Sequence, residues 1–357
     1  MSHAQACHCR RYSHSRLTAQ HGITLVEMMV AMVVGLILLI GIVQLFISNK
    51  QAYRLQEATN VLNESGRYVL NQMHYDLRMA DHWGGAERDA LEIMSGIDTI
   101  DDDCDGAAAA LDTAGIFGID GEASSPLDCI PDSDYVAESD IVVIRYAEPV
   151  RRASGALDDN RIYVRSAMGR RAVVFQGADV ASLPGDIVPE DSDAPTVEEE
   201  APDVANFEMR TVIYFLRPCA SQDLGTADVC DAADDNTPTL TRLTLEGTSL
   251  VEQDVTAGVE QMQLAYGVDT NGDRSPERYL DAETVTDDNN WDSVVDVKLS
   301  LLVRNTEIDV SYTDTTTYQL YGGADGASVE YEVPTDAQQF RRKIYNSSIQ
   351  VRNMTRG

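Results

Sequence analysis

Two groups of side chains in this sequence have types and spacings that could do chemistry. The first is a single residue. Glu27 is the one charge in Ile23–Ile47, ITLVEMMVAMVVGLILLIGIVQLFI. A carboxylate at the centre of a membrane helix costs about 3 kcal/mol on insertion scales, so it marks function and implies a partner. The second group is Asp269, Asn271, Asp273, Ser275 and Glu277, with an oxygen-bearing side chain at every second position. That spacing suits a hard cation, with calcium the candidate. The stretch departs from an EF-hand loop, because Arg274 stands at the sixth position and Leu280 at the twelfth. It also reads as a plain hairpin turn around Asn271-Gly272. A weaker set, Asp101, Asp103, Asp105, Gly106 and Asp112, has the same character but encloses Cys104.

Cysteine provides a third kind of chemistry. Cys7 and Cys9 lie in a basic head, and Cys104, Cys129, Cys219 and Cys230 lie in the rest. Four cysteines allow three pairings. Joining nearest neighbours gives Cys104–Cys129 and Cys219–Cys230, and disulfides would require an oxidising compartment. The alternative is four buried thiols. No CxxC occurs among these four, and only His74 and His82 lie beyond the head, so a zinc site is not expected. The chain has no GxSxG, HExxH, phosphate loop or GxGxxG. No enzyme activity is expected.

The elements that position these residues follow from length and patterning. The 357 residues, 43% hydrophobic and 24% charged, suffice for a sizeable core. The net charge is −32, and it becomes −35 without the first 22 residues, which hold Arg10, Arg11 and Arg16 and no acid. A surface so acidic repels phosphates, and direct nucleic-acid binding is excluded. Ile23–Ile47 would span roughly 37 Å as a helix, enough for a bilayer core. The arginines before it predict a single pass with a cytoplasmic N-terminus and the acidic bulk outside. No A-x-A site follows the run, which argues against an ordinary cleaved signal peptide.

From Gln51 to Ala80 the pattern turns amphipathic, with Leu55, Ala58, Leu62, Val69, Met73, Leu77 and Ala80 on one face. No proline interrupts Ile23–Ala80, so one helix of nearly 60 residues is expected, ended by Trp83-Gly84-Gly85. Beyond it the chain reads as strands: Ile141–Tyr146, Arg161–Arg165, Ala172–Phe175, Val212–Leu216, Leu240–Leu245, Val259–Val268 and Val294–Val303. In the last, Val295, Val297, Leu299, Leu301 and Val303 share one face, opposite Asp296, Lys298 and Ser300. Asp186–Asp203 reads as an acidic loop. The expected fold is α+β, a long helix packed on an antiparallel sheet. Its segments are 1–22, 23–47, 48–85 and 86–357.

One junction is more specific. His21-Gly22-Ile23-Thr24-Leu25-Val26-Glu27 resembles the class III signal of type IV prepilins and pseudopilins, with Ile23 where Phe is usual. The resemblance implies cleavage between Gly22 and Ile23 by prepilin peptidase and methylation of Ile23. It also implies that Glu27 pairs with a neighbouring subunit's new ammonium, an attraction strengthened in low dielectric. A second block, KQAYRLQEATNVLNESGRYVLNQMHYDLRMADHWGG over Lys50–Gly85, resembles the PilW family of minor pilins, though Asp81-His82 departs from its usual Gly-Tyr. A third, FRRKIYNSSIQVRN over Phe340–Asn353, resembles that family's C-terminal strand.

By this resemblance the chain is a minor pilin of the inner membrane that helps prime type IV pilus assembly and sits at the pilus tip. Its partners would be other minor pilins, the major pilin and a candidate tip adhesin. A minor pseudopilin of a type II secretion system would share the signal and helix. A single-pass anchor displaying a calcium-binding module is the third alternative.

Overall fold

A computed structural model describes residues 22–95, 97, 104, 114–167, 171–184, 204–220, 230 and 236–353. The basic head with Cys7 and Cys9, the Asp186–Asp203 loop and the weaker acidic set apart from Cys104 lie outside the described residues. The chain divides into two units, 1–57 and 58–357.

Helix α1, Leu25–Met79, is continuous over 55 residues. With no proline to remove a backbone donor, every turn can close its hydrogen bonds. Ile23 to Ile47 are exposed at every large apolar position. An 18-residue window there has a mean hydropathy of 2.9, so the helix is long and apolar enough to cross a membrane. In the second unit the expected face is buried at Leu62, Val69, Met73, Leu77 and Ala80, whereas Leu55, in the first unit, is exposed. Each fully buried Leu or Met contributes about 2 kcal/mol.

The helix stops earlier than the glycines suggested. Asp81 takes the left-handed conformation, φ 62°, and His82 N–H closes on Met79 O at 3.0 Å. Asp can hold this cap position because its short polar side chain bonds locally. Here Trp83 Nε1 donates to Asp81 Oδ1 at 2.8 Å. Gly84 and Gly85, at φ 65° and 90°, instead form the turn between the bridged residues Trp83 and Ala86. From the far end of the chain, Asn353 Nδ2 donates to the carbonyls of Arg78, Met79 and Ala80 at 3.0–3.3 Å.

The β-rich part forms two main sheets where the sequence suggested one, and the first is mixed. It comprises β1 (Leu91–Ile93), β2 (Ile116–Ile119), β3 (Ile141–Arg152), β4 (Ile162–Ala167), β5 (Arg171–Gln176), β6 (Val204–Arg217), β7 (Thr239–Glu246) and β8 (Ser249–Ala257). Its order is β1-β5-β4-β6-β3-β2, with β7 on β6 and β8 on β7. Only β1 and β5 pair parallel. Strand β6 is long enough for one edge to hold two partners: Val204–Glu208 pair with β4 and Val212–Arg217 with β7.

The second sheet is antiparallel, in the order β10-β9-β11-β14, from β9 (Val259–Val268), β10 (Arg278–Leu280), β11 (Val294–Arg304) and β14 (Arg342–Gln350). A short helix α2 (Ala282–Asp287) follows β10, and β12 (Thr317–Leu320) pairs with β13 (Val329–Glu332). In β11 the expected inner face is buried, and Asp296 and Lys298 stay partly open. Ser300 is buried instead of exposed. Its Oγ donates to Asn346 Oδ1 at 2.7 Å and accepts Tyr321 N–H at 2.9 Å, so the segment after β12 covers that side.

Helix α1 meets both sheets in one core, with Val142, Ile144 and Val212 from the first and Met262, Leu264, Leu299 and Leu301 from the second. Polar anchors fix its rotation. Asp76 is buried and accepts from Tyr146 Oη at 2.8 Å and Tyr214 Oη at 2.5 Å. Burial, and then the Asp76 charge, push both phenol pKa values up. Tyr345 Oη donates to Leu62 O at 2.8 Å, and His74 Nε2 lies 2.7 Å from Ser347 Oγ.

Candidate functional site

The expected processing residues stand at the head of α1. Gly22 and Ile23 precede the helix and are exposed, with Ile23 72% accessible. Thr24 is the N-cap. Glu27 N–H donates to Thr24 Oγ1 at 3.3 Å, and Met28 N–H to Thr24 O at 3.1 Å. Thr24 and Glu27 therefore hold the T-x-x-E spacing of a capping box. Glu27 lies in the first turn, where the helix dipole favours an anion. The capping role of Thr24 was not foreseen, although the T-x-x-E spacing carries the signal. No basic side chain follows Glu27 until Lys50.

The cysteines sit on the first sheet's side of the molecule. Cys104 is bonded to Cys129, with Cα atoms 4.5 Å apart, and Cys219 to Cys230, with Cα atoms 5.7 Å apart. Cys104 packs with Leu127, Ile130 and Tyr135 against Ile141, Val143, Ile213 and Phe215 of the first sheet.

The Asp269–Glu277 stretch joins β9 to β10. The carboxylates of Asp269, Asp273 and Glu277 bring oxygens within 4.8 Å of one another. Among the described residues this is the one group of three or more His, Cys, Asp or Glu side chains that does so. Asp269 accepts from the backbone N–H groups of Asn271, Gly272 and Arg274 at 2.7–3.1 Å. Slight desolvation pushes its pKa up, but these donors together outweigh it and the pKa is lowered. Glu277 accepts from Thr270 N–H at 2.7 Å and from Asn271 Nδ2 at 2.5 Å. Asn271 Oδ1 is taken by Asp273 N–H at 2.8 Å, and Asp273 Oδ1 accepts Ser275 N–H at 2.9 Å. Gly272 and Arg274 both have positive φ, 79° and 71°. Of the five expected oxygen donors, three carboxylates converge, while the Asn271 carbonyl is occupied within the loop. Ser275 joins through its backbone.

Comparison with known families bears on both ends of the chain. The prokaryotic N-terminal methylation motif matches residues 17–43, and the type IV pilus-assembly protein W family matches residues 228–353. Residues 228–353 are thus similar to the PilW family, and the head of α1 to the methylation motif of type IV pilins. The PilW-like range spans β9, β11 and β14, where α1 is anchored, and includes the Asp269–Glu277 loop. The Lys50–Gly85 block lies outside both matched ranges. No curated protein and no solved structure matches. The methylation motif and the apolar helix fit a single-pass anchor in the inner membrane.

Proposed function

We propose that this PilW-like chain is a minor pilin that joins the complex priming type IV pilus assembly and is carried to the pilus tip. The observation that supports this most directly is Glu27. A carboxylate in the first turn of an exposed apolar helix, behind a Gly22–Ile23 junction, has no use in a plain anchor. In this reading prepilin peptidase cuts Gly22–Ile23 on the cytoplasmic side and Ile23 is methylated. The new ammonium of one subunit then neutralises Glu27 of the next and sets the helix register. The β-rich part, 86–357, lies in the periplasm. The other minor pilins and the major pilin are its neighbours, and the role is structural rather than catalytic.

Mass spectrometry of the membrane-extracted protein is expected to find an N-terminus at methylated Ile23. Glu27→Ala is expected to leave cleavage and insertion intact and to abolish co-purification with other minor pilins. An intact leader in cells with active peptidase would overturn the reading. Co-purification with secretion components in place of pilus components would assign it to a type II pseudopilus.

Convergence of the Asp269, Asp273 and Glu277 carboxylates supports a second, independent reading, in which calcium binds between β9 and β10. Calorimetric titration of the protein with calcium tests it. Binding lost in the paired Asp269→Ala and Asp273→Ala variant is the expected result.

A further inference from the structure

Charge is distributed unevenly in this acidic chain. Phe340–Asn353 contains Arg341, Arg342, Lys343 and Arg352 and no acid. Facing it on α1, Ser65–Tyr75 also contains no acid. The two segments lie side by side. Lys343 Nζ donates to Asn63 Oδ1 at 2.7 Å, and the His74 ring bonds Ser347. Asn63, Arg67, His74 and Arg78 are spaced by four and seven residues, so they follow one line of the helix surface along β14.

Two of these cations are already neutralised. Arg341 pairs with Asp309 at 2.8 Å, and buried Arg342 pairs with Glu260 and Asp314. Among the described residues, Arg67, Arg78 and Lys343 have no carboxylate within 4.0 Å. Arg67 and Arg78 are exposed, and His74 is half-buried. Beside them a groove of about 550 Å³ is lined by His74, Arg78, His82 and Arg352, together with amides and apolar groups and no carboxylate. Burial, and then the Arg78 charge, lower the His74 pKa. Arg78 also complements the negative end of the α1 dipole, but that effect fades within a turn and does not account for Arg67 or Lys343.

We propose that this rim of α1 and β14, centred on Arg67, His74, Arg78 and Lys343, docks an acidic segment of a neighbouring protein subunit. The occupant follows from charge. A nucleic acid needs a long cationic track matching a charge every 1.7 Å or so of duplex, and the rest of this surface is acidic. A short run of Asp and Glu needs only the rim itself. At about 0.1 M salt, acids more than about 10 Å away are largely screened, so the side chains of the rim, Glu64 beside Arg67 included, decide what binds. The surface rests on the assembly reading for the existence of a neighbour. It adds the chemistry of that neighbour.

The test uses the full chain in non-ionic detergent micelles and fluorescein-labelled poly-L-glutamate as the probe, read by anisotropy. Binding at low salt that falls steeply with added salt is expected. The paired Arg67→Glu and Arg78→Glu variant is expected to weaken it at least about tenfold, and Lys343→Gln by a smaller factor. Arg278→Glu, a charge reversal between β9 and α2, is expected to leave it unchanged. If the paired reversal fails to fold, as judged by circular dichroism, Arg67→Gln with Arg78→Gln provides the same readout. Absence of binding by the wild type, or equal binding by the variants, overturns the proposal. A single-stranded oligonucleotide that displaces polyglutamate at lower concentration overturns it in favour of phosphate recognition. Wild-type self-association abolished by the same variants overturns it in favour of a second copy. None of these readouts depends on cleavage at Gly22 or on piliation.

Discussion

Tyr345 fills the space that a side chain at Gly66 would need. A Cβ built on Gly66 would lie 2.4 Å from Cε2 and Cζ of the Tyr345 ring. The ring sits flush on the helix backbone and its hydroxyl reaches Leu62 O. This contact explains why the apolar face of α1 skips a step at Gly66. Gly66→Ala gains about 1 kcal/mol of helix propensity but overpacks the ring at a cost of about 1–3 kcal/mol. A net loss of stability is expected in urea unfolding. In a Tyr345→Ala background the clash is gone and the same substitution is expected to become neutral or stabilising. A Gly66→Ala effect independent of Tyr345 would show that the ring does not set the requirement.

From pH 8 towards 5 the buried carboxyls of Asp81, Asp120 and Asp140 are expected to favour the folded chain increasingly, whereas His74, whose pKa is lowered, works against it as the pH falls through its unfolded value near 6.5. Burial is the first cause that raises the carboxyl pKa values of Asp81, Asp120 and Asp140, most strongly at Asp140. A group whose folded pKa is raised takes up its proton more readily in the folded chain. Its contribution is therefore complete below the unfolded value near 3.8 and is lost as pH rises through the folded value. Asp140 accepts N–H bonds from Gly121 at 2.9 Å and Leu264 at 2.6 Å, joining the start of β3 to β9. Asp140→Asn is expected to lower the melting temperature at both pH values and to narrow the difference between them. An unchanged pH difference would remove Asp140 as its source.

Both disulfides are expected to persist in protein purified without reductant. Non-reducing peptide mapping should find Cys104 with Cys129 and Cys219 with Cys230. Loop-closure entropy sets the expected loss at about 3 kcal/mol for either bond, since the chain lengths enclosed differ little on a logarithmic scale. Cys129→Ser and Cys230→Ser should each show this in denaturant unfolding. Free thiols or crossed pairs in the map would refute the pairing.

In the Asp269–Glu277 loop the two flanking variants are expected to differ. Asp269 accepts from three backbone N–H groups, whereas Asp273 accepts from one backbone N–H and one side-chain amide. Asp269→Ala should therefore lower the melting temperature more than Asp273→Ala with a chelator present. A calcium-dependent rise in melting temperature in the wild type, lost in both variants, supports a cation between the carboxylates. An absent response would leave a hairpin held by its own hydrogen bonds.

The sequence alone determined the features that depend on local pattern. Apolar residues without interruption over Ile23–Ile47, three-and-four spacing to Ala80 and no proline fix one helix, because each criterion is satisfied within a few residues of chain. A β-rich run placed β9, and alternation placed β11, to within a residue. Tertiary structure decided whatever required distant partners. Asp81 ends α1 because Trp83 and the backbone of Arg145 hold it there, and Asn353 supplies the remaining donors from the far end of the chain. The buried Asp76 carboxylate is tolerable because Tyr146 and Tyr214 arrive from two strands far along the sequence. The branching of the first sheet depends on the length of β6, which holds β4 and β7 along one edge. The uncompensated cations beside β14 emerge only when Arg67 and Lys343, more than 270 residues apart, lie along the same helix–strand seam. Spacing along a chain reports which side chains share a face. Which faces meet is set by packing, and there the burial of one element depends on all the others.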